Sequence, residues 1–176
     1  MTGRRAVFLD RDGVINALVP RDGRLVSPRR PAEFRLLPGI AEAAARLRRE
    51  AWLIFIITNQ PDLARGRMDA CDHAEMMAAA TAATAPDDVA VCPHDDADAC
   101  QCRKPRPGLV LALASRWSVD LAASWLIGDS WRDVEAGRAA GCRTVLVGPG
   151  DRPGLQPDLS AADLPSAVAL LHPPHS

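Results

Sequence analysis

The reading of this chain turns on one stretch, Ala6-Val7-Phe8-Leu9-Asp10-Arg11-Asp12-Gly13-Val14-Ile15-Asn16. Ala6 to Leu9 reads as a short buried strand. It ends in two carboxylates, Asp10 and Asp12, two residues apart. Charges just beyond a buried strand are costly unless they are used. These two suit a divalent cation, or a nucleophile with an acid–base partner. Gly13 permits the sharp turn that lets both face one site. The plain alternative is an Asp-Gly turn that closes a strand.

Outward from that strand, apolar runs alternate with helical patterns. Ile40, Ala43, Ala44, Leu47 and Ala51 sit at helical spacing after a Pro38-Gly39 turn. Leu53 to Ile57 is a second strand. Asp69 caps a helix running to about Ala80, and Val89 to Val91 is a third strand. Pro107 suits the first turn of a helix that continues to about Trp117. Trp125 to Ile127 and Thr144 to Val147 are further strands. Between them, a helix from Asp133 to Ala140 stops at Gly141. Asp163 to Leu171 is a last helix, before a tail, 172–176, expected to be disordered. Strands alternating with helices predict an α/β fold, a doubly wound parallel sheet covered on both faces. In such folds the site lies beyond the carboxyl ends of the strands. Ala17 to Leu37 reads as the longest irregular segment and is too short for a separate domain. One domain over residues 1–176 is therefore expected.

Composition narrows the function classes. The 176 residues carry 21 basic and 22 acidic side chains, a formal net charge of -1. No basic excess drives binding to nucleic acid or an anionic membrane. The longest apolar run, Ala51 to Ile57, is far below the roughly 20 residues of a membrane helix. The four-residue apolar segment after the N-terminus is too short for a signal peptide, so a cytoplasmic location is expected. Nothing suggests an obligate partner, and a monomer is expected. There are 20 arginines and a single lysine, Lys104. That lone lysine suggests a position where a compact ammonium is wanted.

The residues just beyond each strand carry the chemistry. Thr58-Asn59-Gln60 offers a hydroxyl and an amide that can donate hydrogen bonds to a phosphate; an ordinary polar loop is the alternative. Cys92-Pro93-His94, five residues, then Cys100-Gln101-Cys102 supply three thiolates and an imidazole. That set completes a closed tetrahedral zinc shell, which marks a structural rather than a catalytic ion. A chance cluster or a disulfide is the alternative, and a reducing compartment counts against the latter. Asp95, Asp96 and Asp98 read as solvated loop residues. Arg103 and Lys104 come directly after the loop, where a rigid anchor would present the ammonium to phosphoryl oxygens. Gly128-Asp129-Ser130 ends the next strand. If that strand neighbours the first, Asp10 and Asp129 can share a cation. Asp133 either braces that loop or favours the helix N-terminus. Cys71 and Cys142 read as buried thiols.

Together these motifs resemble the haloacid dehalogenase-like superfamily of phosphohydrolases. The matching segments are FLDRDGVIN from Phe8, IITNQ from Ile56, CRKPRPG from Cys102 and LIGDSWRDVEAG from Leu126. The zinc loop, residues 92–102, resembles the capless branch that holds the heptose bisphosphate and histidinol phosphatases. TNQPDLARG and RKPRPG are similar to the heptose side; the short zinc-loop spacing is closer to the histidinol side. The resemblance implies that Asp10 attacks phosphorus and that Asp12 protonates the leaving alcohol and then activates water. It also implies magnesium on Asp10, Asp129 and the backbone carbonyl of Asp12. Thr58 and Lys104 hold phosphoryl oxygens, Asn59 shapes the loop, and Arg103 contacts the substrate beyond its reacting phosphate.

The residue types fit that chemistry independently. A phosphate monoester and a carboxylate repel each other, and a magnesium ion and an ammonium offset the repulsion. The gaps from Asp12 to Thr58 and from Thr58 to Lys104 leave no room for a cap domain. Specificity is then expected from the zinc loop, Ala17 to Leu37 and Pro61 to Arg67. Arg29, Arg30, Arg65 and Arg67 are the candidates for a second anionic group. The expected substrate is a small phosphorylated sugar, foremost a heptose 1,7-bisphosphate losing its 7-phosphate. Histidinol phosphate or another small phosphorylated metabolite is the alternative. A receiver-like binding module without turnover is the alternative of another class.

Overall fold

The computed structural model describes residues 3–150 and 152–171, so the expected disorder of the tail 172–176 lies outside the described residues. Its centre is a parallel six-stranded sheet. In chain order the strands are β1 (Ala6–Leu9), β4 (Leu53–Asn59), β5 (Asp88–Cys92), β6 (Trp125–Gly128), β7 (Arg143–Val147) and β8 (Leu159–Ala161). β2 (Val19–Arg21) and β3 (Arg24–Val26) form a separate antiparallel hairpin. The helices are α1 (Ile40–Arg49), α2 (Pro61–Ala64), α3 (Ala70–Thr84), α4 (Gly108–Trp117), α5 (Trp131–Ala140) and α6 (Leu164–Leu170).

Side-chain alternation builds two cores from the same strands. Val7, Leu9, Ile54, Ile56, Ile127 and Val145 point to one face, with buried residues of α1, α3 and α6. Ala6, Phe8, Phe55, Ile57 and Leu126 point to the other, with α4 and α5. A strand buried on both faces reads as a continuous apolar run, and this is why no polar residue interrupts Ala6 to Leu9 or Leu53 to Ile57.

The strand order is β5-β4-β1-β6-β7-β8, so β1 lies at the middle with β4 and β6 as its neighbours. Leu9 is in register with Ile56 on β4 and Ile127 on β6. That register carries Asp10, Thr58 and Asp129 to one edge of the sheet. The Asp10 amide donates to the Ile127 carbonyl at 3.0 Å, which holds the first motif onto β6. On the outer side Asn59 is in register with Cys92, so the zinc loop begins beside the second motif.

Several expectations need correction. Ala17 to Leu37 is not simply irregular, because it holds the β2–β3 hairpin. Asp22 (φ 52°) and Gly23 (φ 73°) form its two-residue turn. Asp-Gly between apolar flanks favours such a turn because both central residues take positive φ. β8 has no counterpart in the sequence reading; it is a three-residue edge strand paired with β7. Pro107 stands one residue before α4, as its cap. α5 begins two residues earlier than expected, at Trp131. Cys71 is exposed on α3, whereas Cys142 is buried as expected and burial pushes its thiol up to about 12.

Candidate active site and metal centre

The carboxyl ends of β1 and β6 bring Asp10 and Asp129 together, the segment after the zinc loop adds Lys104, and Thr58 stands buried on β4 with its hydroxyl accepting from Gln60. The Lys104 ammonium is 3% exposed. It lies 2.8 Å from Asp10 Oδ1 and 2.6 Å from Asp133 Oδ1, and donates to the Ile57 carbonyl at 3.4 Å. Burial opposes its charge, but Asp10 and Asp133 outweigh that and hold it firmly protonated. Asn59 fixes the approach of this segment twice over. Its Nδ2 donates to the Lys104 carbonyl at 3.0 Å, and its Oδ1 accepts from the Lys104 amide at 3.1 Å.

Asp10 carries more negative charge around it than Lys104 balances. Burial raises its carboxyl well above the ordinary range, and Asp133, Asp129 and Asp12 push the same way against Lys104. Ligand oxygens of Asp10, Asp129 and Asp133 all lie within 4.8 Å of one another. A cluster of carboxylates short of positive charge suits a hard divalent cation with oxygen ligands. Asp10 and Asp129 would hold it, since Asp133 is committed to Lys104 and to the amide (3.2 Å) and hydroxyl (2.7 Å) of Ser130. Two glycines make this crowding possible. A Cβ on Gly13, at φ +85°, would meet Asp129 Oδ2 at 1.9 Å, and one on Gly128 would meet the Asp133 side chain at 2.1 Å.

Asp12 lies beside this cluster and lines the same cleft. Its carboxylate accepts from Arg11, Asn16 and Gln60. Gln60 is a site residue that sequence reasoning missed. Its Nε2 donates both to Asp12 Oδ2 at 2.7 Å and to Thr58 Oγ1 at 2.8 Å, linking the first two motifs. Asp133 likewise exceeds the roles expected for it. It braces the loop, and it also seats Lys104. Its position four residues after Asp129, on the first turn of a helix, was the available signal.

The second centre is at the end of β5. The three sulfurs lie 3.2–3.6 Å apart, His94 Nδ1 lies 3.6 Å from Cys92 Sγ and 3.2 Å from Cys102 Sγ, and all four atoms lie within 4.8 Å of one another. A tetrahedral shell with zinc–sulfur bonds of about 2.3 Å places its donors roughly 3.5–3.8 Å apart. A disulfide would need about 2.05 Å, and all three cysteines are free thiols. Cys92, His94, Cys100 and Cys102 therefore fit one zinc ion. Of the intervening acids, Asp96 and Asp98 are exposed on the loop as expected, while Asp95 and Asp96 also carry ion pairs. Asp95 pairs with Arg65 at 2.7 Å, and Asp96 pairs with Arg103 at 2.7 Å. Arg65 and Arg103 are thereby tied to the loop that a zinc ion would hold.

These parts enclose one cleft of about 870 Å³, a size typical of small-molecule sites. Asp10, Asp12, Asp129 and Lys104 lie on it; β3, the zinc loop and residues 147–150 wall it. Its cationic lining is Arg24, Arg65, Arg103 and Arg132. Of the four arginines proposed for a second anion, Arg65 alone is on this lining. Arg29 is instead paired with Asp62 at 2.5 Å.

A family described as HAD-hydrolase-like matches residues 101–169. The chain is 40% identical over 152 residues to the D-glycero-beta-D-manno-heptose-1,7-bisphosphate 7-phosphatase of Bordetella bronchiseptica, covering 84% of this chain and 82% of that one. It is 39% identical over 154 residues to the D-glycero-alpha-D-manno-heptose-1,7-bisphosphate 7-phosphatase of Mycobacterium tuberculosis, covering 81% and 78%. The crystal structure of the D,D-heptose 1,7-bisphosphate phosphatase from B. bronchiseptica, complexed with magnesium and phosphate, superposes with a TM-score of 0.80 at 36% identity. The match covers 94% of this chain and 96% of that one. The chain belongs to the haloacid dehalogenase-like superfamily, in the family of the D-glycero-D-manno-heptose-1,7-bisphosphate 7-phosphatases.

Proposed function

We propose that this protein is a magnesium-dependent phosphomonoesterase that removes the 7-phosphate of a heptose 1,7-bisphosphate through an aspartyl-phosphate. The observation that carries the reading is Asp10 seated between Lys104 and Asp129 at the floor of an arginine-lined cleft. Magnesium, when bound to Asp10, Asp129 and the Asp12 carbonyl, supplies charge neutralisation between carboxylate and phosphate.

The chain's own groups do the rest. Thr58 and Lys104 take phosphoryl oxygens and orient phosphorus toward Asp10. Asp10 attacks, and Asp12 delivers its proton to the departing sugar oxygen. Water then attacks phosphorus, with Asp12 taking the proton, and Asp10 is released. Splitting the hydrolysis lets one acid–base group serve both steps. The arginines on the cleft wall, with Arg103 nearest the zinc loop, suit the phosphate that is not cleaved.

The test is phosphate release by purified protein with magnesium on both anomers of heptose 1,7-bisphosphate, beside histidinol phosphate. Relatives named for each anomer match at 40% and 39% identity, so both belong in the assay. A strong preference for the bisphosphate is expected. Asp10→Asn is expected to abolish turnover, at least about 10⁴-fold, while fold and zinc content survive, since the residual rate then rests on binding alone. Full activity in that variant would sink the mechanism; preference for histidinol phosphate would sink the substrate.

A further inference from the structure

The carboxylate of Asp12 is ringed by donors. Arg11 reaches both oxygens, Nε to Oδ1 at 3.0 Å and Nη2 to Oδ2 at 3.1 Å. Asn16 Nδ2 donates to Oδ1 at 3.0 Å, and Gln60 Nε2 donates to Oδ2 at 2.7 Å. A carboxylate has about four lone-pair sites. All of them are taken, so a substrate oxygen must displace a donor.

Arg11 and Gln60 are both buried, at 0% and 1% exposure, and differ in how readily they can leave Asp12. Arg11 is fully buried. Its Nη1 donates to Met77 Sδ at 3.4 Å, and its guanidinium carbon lies 5.8 Å from the centre of the Phe34 ring. Burial and the charge of Arg11 push the nearby His73 below its ordinary value, against the pull of Asp12. A buried guanidinium leaving its carboxylate would stand unpaired, which is costly. Gln60 is different. It is neutral, and the same Nε2 already has Thr58 Oγ1 at 2.8 Å as a second acceptor.

We propose that Arg11 is a positioning residue: it grips both oxygens of Asp12, so that Oδ2 exchanges Gln60 for a substrate or water oxygen without the carboxylate turning. This rests on the acid–base role given to Asp12 above. In the first displacement the Asp10–phosphorus bond forms and the phosphorus–sugar oxygen bond breaks, and the proton of Asp12 passes to that oxygen. In the second, the water oxygen bonds phosphorus, its proton passes to Asp12, and the electron pair of the Asp10–phosphorus bond returns to Asp10. Both steps need the same oxygen of Asp12 in the same place.

The test uses the leaving group. Arg11→Met keeps an unbranched buried side chain without the fork. It is assayed with magnesium on heptose 1,7-bisphosphate, whose sugar alkoxide needs a proton to depart, and on 4-nitrophenyl phosphate, whose phenolate does not. On the bisphosphate, kcat is expected to fall about 100-fold with KM within about 3-fold, as for lost general acid–base catalysis. On the nitrophenyl ester a burst of about one nitrophenol per chain persists at the wild-type rate, and the later steady rate alone falls. Arg11→Lys, which keeps charge but loses the bidentate fork, is expected to lie between. Equal losses in burst and steady state on both substrates, or wild-type kinetics, would overturn the proposal. Should Arg11→Met not fold, Met77→Ala loosens the seat of Nη1 without touching Asp12. It is expected to show the same pattern at about 5-fold, and equal losses on both substrates would again overturn it. A wild-type protein inactive on both substrates, or an active Asp10→Asn variant, would instead remove the phosphatase reading beneath it.

Discussion

Lys104 is the single lysine in a chain with 20 arginines, and its surroundings explain why. Its ammonium meets Asp10, Asp133 and the Ile57 carbonyl in a slot that is 3% exposed. Three acceptors around one nitrogen match the three hydrogens of an ammonium, whereas a planar guanidinium needs its partners in a fork. The composition thus pointed to the residue, and the partners were invisible until the chain folded. Asp133 is the instructive one. Asp133→Asn keeps its shape and the Ser130 contacts but removes half of the charge that seats Lys104. Steady-state assays are expected to show kcat lowered by about 10–100-fold, comparable to displacing one electrostatic stabiliser. Wild-type kcat in that variant would show that Asp10 alone positions the lysine.

At the scale of elements, the zinc loop does two jobs. It closes β5, and it holds the acids that orient Arg65 and Arg103 over the cleft. Metal analysis of the purified protein is expected to read close to one zinc per chain, and Cys102→Ser to lose it. A ligand present at about 100–1,000 times its dissociation constant stabilises the fold by about 3–4 kcal/mol, and that is the expected loss in a urea titration. On the proposal that these arginines take part in substrate binding, KM is expected to rise about 10-fold, with kcat within a few-fold. An unchanged KM in a folded, zinc-free variant would separate the loop from the cleft.

The β8 edge gives a second case. Asp158 accepts from the Thr144 amide at 2.7 Å and hydroxyl at 2.9 Å, tying the chain before β8 to β7. Burial pushes its carboxyl up, but the Thr144 hydrogen bonds win and hold it below the ordinary carboxylate range. Asp158→Ala is expected to cost about 1–2 kcal/mol. A depressed carboxyl contributes stability that is full above its unfolded value and fades as pH falls through the folded one. The gap between wild type and variant is therefore expected to be full at pH 7 and to close below about pH 4 in denaturant titrations. A gap independent of pH would show that packing, not the charge, is what the variant loses.

For the whole molecule, the cleft is assembled from segments far apart in the chain. Asp10 comes from β1, Asn59 from β4, Lys104 from the segment after the zinc loop, and Asp129 from the end of β6. Placing β1 at the centre of the sheet makes this possible, because β4 and β6 then end on either side of Asp10. No helix among the described residues is long and apolar enough to cross a membrane.

Apolar runs and periodicity determined the parallel sheet, because strands buried on both faces tolerate no polar residue. Residue type and spacing determined the carboxylate pair and the cluster of three cysteines and a histidine, because each is a local pattern with its own chemistry. The hairpin was within reach of Asp22-Gly23, but the three-residue strand β8 was not, since so short a segment owes its shape to its neighbour. Only the tertiary structure decided which arginines face the cleft, that Asp133 seats Lys104, and that Arg11 and Gln60 meet on Asp12. Those contacts join residues up to 48 positions apart, such as Gln60 and Asp12. Their pairing depends on strand order and register, and no local sequence pattern encodes either.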